Sequence, residues 1–247
     1  MHNGLQLNPD KSEALVMGTA NQLQAASSLT SVKVADVDLP VADDIKVLGV
    51  LLDRRLSFDK RVSAVARSCN YHPQAIRCIR HLLTMDFAQT LACSLILSRI
   101  DYCNAVLHGA SSGTINKLQR VQNNAARIVH QAPRRSHAYP LLKKLHWLPV
   151  EQRIAYKLAL LTFKIRQTSA PAYLSQHIRT RSGTRSLRSP DVSLLHVPFR
   201  WTAIGKRSFS CAAPTTWNSL PASVINCDTL SVFKSRLKTH LFNFGYS

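Results

Sequence analysis

At Asp53 the spacing of the apolar residues changes, and that change fixes which secondary structure each side of it can adopt. Before it, residues 32–37 are β-rich, and 45–52 form a nearly continuous apolar run bounded by Asp43, Asp44 and Asp53. A short apolar run between turn-forming acids predicts a buried strand. Leu39-Pro40 is read as the turn between the two, giving a hairpin or meander, and Asp43-Asp44 as a solvated turn. After Asp53 the apolar residues fall three or four apart, the spacing of one helix face. Phe58, Val62, Val65, Cys69, Ile76, Ile79 and Leu83 form the first such series, with Pro73 inside it as a predicted break or kink. A second runs from a Thr84 cap through Phe87, Leu91, Leu95, Ile100, Cys103 and Leu107. A third starts at Thr114, with Ile115, Leu118, Val121, Ala125, Ile128 and Val129 on one face and Lys117, Arg120, Gln122, Asn123, Asn124 and Arg127 on the other. A short amphipathic piece over 139–145 and a helix over 150–166 follow, the latter with Ile154, Leu158, Leu161 and Ile165 aligned. Short steps between such helices predict an antiparallel bundle.

Over 169–198 the period fades, and Arg179, Arg181, Arg185 and Arg188 recur among Ser, Thr and Gly. This predicts a basic loop, irregular and exposed across 182–192. A final helix, capped by Asp228 or Thr229, aligns Leu230, Phe233, Leu237 and Leu241. The expected fold is therefore mainly α: a helical bundle with a small N-terminal β-piece and an irregular basic C-terminal region. Three parts are expected, 1–53, 54–168 and 169–247.

Charge follows the same division. The chain carries 32 Lys and Arg against 13 Asp and Glu, a net +19, yet residues 1–53 hold three lysines and seven acids, a net −4. The remainder is +23, which points to a polyanion, nucleic acid first. A basic face meeting an acidic protein is the competing reading. No apolar run approaches the length of a membrane span, and residues 1–10 lack the basic-then-apolar order of a secretory signal. The expectation is an intracellular chain, nuclear or cytoplasmic, not secreted. The six cysteines make no C-x-x-C, so reduced, half-buried thiols are expected and no metal site. No phosphate-binding loop, nucleophile elbow or metalloprotease motif occurs, and the acids after Asp53 are isolated. No catalytic residues and no cofactors are expected.

Several segments nevertheless carry a specific likeness. Leu7-Asn8-Pro9-Asp10-Lys11-Ser12-Glu13 resembles the L-N-x-x-K-T/S-E segment of non-LTR (LINE-type) retrotransposon reverse transcriptases, and Val47-Leu48-Gly49-Val50-Leu51-Leu52-Asp53 resembles their L-G-x-x-L-D stretch. Arg99-Ile100-Asp101-Tyr102-Cys103-Asn104 and Leu118-Gln119-Arg120-Val121-Gln122-Asn123-Asn124-Ala125-Ala126-Arg127-Ile128 resemble the thumb helices. His146-Trp147-Leu148-Pro149-Val150, Trp217-Asn218-Ser219-Leu220-Pro221 and Phe233-Lys234-Ser235-Arg236-Leu237-Lys238 resemble the segment after the thumb in jockey-like and chicken-repeat-like elements. The likeness spans nearly the whole chain, and the order and number of motifs carry it.

That resemblance implies a palm edge, a thumb-like bundle and a tail. The metal-binding aspartates of the family would lie before Met1, so the implied role is a non-catalytic remnant of an RNA-directed DNA polymerase that binds RNA or DNA backbones weakly and without sequence preference. Further readings are a helical protein-interaction module and a transposon-derived frame with no selected role. The resemblance implies that Lys11 lies near an incoming phosphate; otherwise it is a surface lysine. Gly49 is a close-approach position beside a primer or a bulge glycine. Lys117, Arg120 and Arg127 on the third helix, with Arg134, Arg135, Lys143 and Lys144 around the fourth, are the candidate backbone contacts. Trp147, Trp201 and Trp217 are read as core anchors, with base stacking as the alternative.

Overall fold

The structure, a computed structural model, describes residues 8, 11–34, 37–181 and 194–247. It is mainly helical with a small N-terminal β region. The chain divides into two compact units, Met1–Ser63 and Ala64–Ser247. The expectation of irregular chain over 182–192, with Arg185 and Arg188, lies outside the described residues.

In the first unit β1 (Ala14–Leu15) precedes a short helix, α1 (Ala20–Ala25), and then β2 (Ser31–Val34) and β3 (Val37–Ala42). β3 is central, parallel to β1 and antiparallel to β2. Leu39-Pro40 is therefore not a turn but lies inside β3. Pro40 is tolerated because β1 pairs only with Val41 and Ala42, so β3 has one neighbour at Pro40 and loses no ladder bond on the other side. The apolar run 45–52 is likewise two strands, β4 (Asp44–Val47) and β5 (Val50–Asp53), paired through Val47 and Val50. Leu48 and Gly49 form the two-residue tip, both at positive φ (48° and 78°). That left-handed pair matches the twist of a tight hairpin, which is why glycine stands there rather than at a bulge. Asp43 and Asp44 pair with Arg54 (3.5 Å) and Lys60 respectively.

α2 (Asp59–Ile79) runs unbroken through Pro73, which is buried within it. The ring removes one ladder donor but not the helix. Arg80, not Ile79, turns inward after it. Its guanidinium donates to the carbonyls of Ile128 (3.2 Å), Val129 (2.6 Å) and Leu83 (2.7 Å), capping a neighbouring helix terminus, while Ile79 stays 44% exposed.

Thr84 caps α3 (Met85–Ala92), its hydroxyl accepting from Phe87 N–H at 3.4 Å. A π-helical turn over Cys93–Leu97 joins α3 to α4 (Ser98–Asp101). The buried face is Ala88, Ala92, Ile96, Leu97 and Ile100, whereas Phe87 is 67% exposed. Alanines at the contact let the helices approach closely, and the extra residue of the π turn rotates the face that follows. Left-handed Cys103 ends this run.

α5 (Ser112–Val129) is capped by Ser111, α6 (Ala138–Lys144) packs on it, and α7 (Val150–Thr168) follows the Trp147-Leu148-Pro149 turn. Gln122, expected on the polar face of α5, is fully buried and donates to Leu148 O (2.8 Å). Gln119 accepts from Val150 N–H (2.9 Å), supplying one of the orphan donors at the start of α7.

Beyond α8 (Ala172–Ser175) the basic segment is partly paired, Thr180 bridging Leu195. α9 (Ala203–Arg207), α10 (Phe209–Asn218), α11 (Ala222–Ile225) and α12 (Leu230–Gly245) complete the unit. Thr229 is the cap of α12, accepting from Val232 N–H. α7, α10 and α12 enclose a core in which Phe163 and Phe233 stack at 4.2 Å beside Trp217.

Candidate nucleic-acid interface

The basic surface is built from α5. Residues 117, 120, 124 and 127 are spaced three, four and three apart, so Lys117, Arg120, Asn124 and Arg127 lie along one side of the helix. Leu118, Val121, Gln122, Ala125 and Val129 are buried on the other. Because α2 continues past Pro73, its last turns reach the C-terminal half of this stripe, and Arg77 donates to Asn124 Oδ1 at 3.5 Å.

Between the two helices is a cleft of about 430 Å³, lined by Asn70, Pro73, Gln74, Arg77, Asn124, Arg127 and Arg134. A second hollow of about 320 Å³ shares Arg77, Arg127 and Arg134 and adds Arg80, His81 and Gln131. Three guanidinium groups thus line both hollows and no carboxylate lines either. Like charges gathered without a counter-charge favour an anion between them, and guanidinium forks match phosphate oxygens. Arg127 is held in place: its Nε donates to Ser136 O at 2.8 Å, which leaves the two terminal nitrogens of the fork for a ligand. Asn70, Gln74 and Asn124 add neutral polar groups.

The expected contact residues separate on this basis. Arg127 and Arg134 line the cleft, while Lys117 and Arg120 lie exposed along the same stripe of α5. Arg135, Lys143 and Lys144 are exposed but do not line it. Lys11 is exposed and belongs to the first unit. Arg77 is not among the expected contacts: it stands alone in sequence, and only the packing of α2 beside α5 brings it to Asn124, Arg127 and Arg134.

A third hollow, about 350 Å³, includes Cys93, Asp101, Asn104, Trp147, Arg153 and Lys238 in its lining. Asp101 and Arg153 are an ion pair there. Burial pushes the Cys93 thiol up and nearby Arg153 only partly offsets it, so the sulfur is held protonated rather than as a nucleophilic thiolate. All six cysteines are free thiols. Among the described residues, no three of His, Cys, Asp and Glu gather as a metal-binding group, and no helix is long and apolar enough to cross a membrane.

The chain matches no family model, no curated protein and no solved structure. The arginine cleft therefore speaks through its own chemistry. It can grip phosphate oxygens at two or three points.

Proposed function

We propose that this chain is a non-catalytic portion of a LINE-type reverse transcriptase, palm edge, thumb and tail, that holds RNA or DNA weakly by its backbone without sequence preference. The observation that carries the backbone-binding reading is the cleft lined by Arg77, Arg127 and Arg134 with no acid beside them. The ordered motifs along the sequence support the family reading. The stripe of Lys117 and Arg120 extends the same positive surface along α5. Counterion release then drives association, so affinity falls steeply with salt.

If four to six phosphates are contacted, the log–log salt slope is roughly −3 to −5. Replacing both Arg77 and Arg134 by Ala weakens binding to every sequence alike and flattens the slope by about two at most. Anisotropy titrations of the full chain at several salt concentrations measure both. Tight binding that ignores salt, or no binding even at low salt, refutes the reading. A primed-template assay supplies the other arm, with no template-dependent incorporation expected; incorporation above a protein-free control refutes the non-catalytic part.

A further inference from the structure

We propose that Phe199 and Trp201 form a stacking platform for unpaired bases, which makes single-stranded RNA or DNA the nucleic acid this chain prefers; the inference rests on the backbone-binding reading above and sharpens it. The chain has three tryptophans. Trp147 and Trp217 are 4% and 1% exposed, and Trp201 is 89% exposed with Phe199 at 71%. A large aromatic left in water forgoes the stabilisation its burial would bring. The segment has a core nearby in which to bury it: Leu195, six residues earlier, is 1% exposed.

The pair is also held rather than trailing. Leu195 N–H donates to Asn218 Oδ1 and Asn218 Nδ2 donates to Leu195 O, both at 2.8 Å. Cys211 Sγ donates to Pro198 O at 3.3 Å. On the far side Thr202 caps α9, its hydroxyl accepting from Gly205 N–H at 3.0 Å. Phe199, Arg200 and Trp201 thus project from a chain fixed at both ends. The two rings meet edge to face, centroids 4.9 Å apart at 86°. A platform fixed beforehand loses little freedom when a base lands on it.

The surroundings choose the occupant. Arg200 separates the rings in sequence, and its stem lies over Gly205, where an added Cβ would stand 3.2 Å from Arg200 Cβ. Lys206 is exposed nearby on α9. No acid occurs anywhere in residues 194–218. An apolar protein partner or a second copy of this chain would bring apolar surface against unpaired cations, whereas a nucleic-acid strand brings a ring for the aromatics and a phosphate for the cations. Every base has a π face, so stacking tolerates any sequence, but a duplex has already stacked its bases on one another.

Trp201 is its own reporter, because the other two indoles are buried. The full chain is titrated with a single-stranded oligonucleotide and with a duplex of equal length, following both anisotropy and tryptophan emission. The expected result is quenching by the single strand and little by the duplex. Trp201→Ala weakens single-strand binding roughly 5- to 100-fold and leaves duplex binding unchanged, while Trp201→Phe keeps most of the affinity. The site is exposed, so these variants fold. If the wild type binds both oligonucleotides with a steep salt slope but its emission is unchanged and Trp201→Ala binds as well, the platform falls and the arginine-cleft reading stands. Equal quenching by the duplex overturns the single-strand preference. A concentration-dependent blue shift without oligonucleotide assigns the pair to self-association and overturns the inference. Binding to neither overturns both readings.

Discussion

The Asp53 carboxylate accepts from Arg55 N–H (3.1 Å), Ser57 N–H (2.9 Å), Phe58 N–H (2.8 Å) and the Ser57 hydroxyl (3.2 Å). Burial alone raises its pKa; the hydrogen bonds from Ser57, Phe58 and Arg55 together outweigh that and hold it below the ordinary carboxylate value. A depressed folded pKa means the unfolded chain binds more protons in acid. The stabilisation is fully present above the unfolded carboxylate pKa of about 4 and is lost as pH falls through the folded value. Asp53→Asn therefore lowers stability at neutral pH and lowers it less in acid. Urea titrations at neutral pH and near pH 3 check this, and an equal loss at both would show that the charge plays no part. In the L-G-x-x-L-D likeness the final aspartate thus acts as a turn cap, a role that no sequence pattern states. The same limit applies to Gln122 and Trp201. Composition labels one polar and the other apolar, yet the glutamine is buried because Leu148 O needs a donor and the tryptophan is exposed because its neighbours are tied elsewhere.

Helix positions were legible wherever caps and spacing agreed. The Thr84 and Thr229 hydroxyls each accept from the backbone N–H three residues on, and α5, α7 and α12 follow the expected three-to-four spacing; α5 starts two residues before the expected Thr114, because the Ser111 hydroxyl accepts from Thr114 N–H and caps it there. Helix faces were less legible. The π turn at Cys93–Leu97 shifts the register of everything after it, and Arg80 displaces Ile79 because two helix-terminal carbonyls require a donor. Arg77 entered the candidate site only through the continuity of α2. Packing at the element scale is dominated by the Phe163–Trp217–Phe233 group. Phe233→Ala opens a cavity under Trp217 and costs about 3–5 kcal/mol in chemical unfolding. Phe244→Ala, on the same helix but 69% exposed, changes stability by about 0.5 kcal/mol or less. Equal effects from the two would mean that α12 presents a different face to α7.

At the scale of the molecule, charge was the most legible property. The unit Ala64–Ser247 holds 25 Lys and Arg against five Asp and Glu, while Met1–Ser63 is near neutrality. Which cations converge was not legible, because Arg77 and Arg134 are far apart in sequence and meet only once α2 lies beside α5. Self-repulsion of this size opposes compaction and is screened by salt. The thermal midpoint of the chain rises as sodium chloride is added at neutral pH. A midpoint that falls with salt would show that attractive pairs outweigh the repulsion. The architecture also has a kinetic side. Phe163 on α7 leaves the ribosome well before Phe233 on α12, and until that helix arrives the ring has no stacking partner. A nascent chain of this protein therefore carries an uncovered aromatic seam until about 70 further residues have been made, the kind of surface that chaperones bind and neighbouring chains stick to.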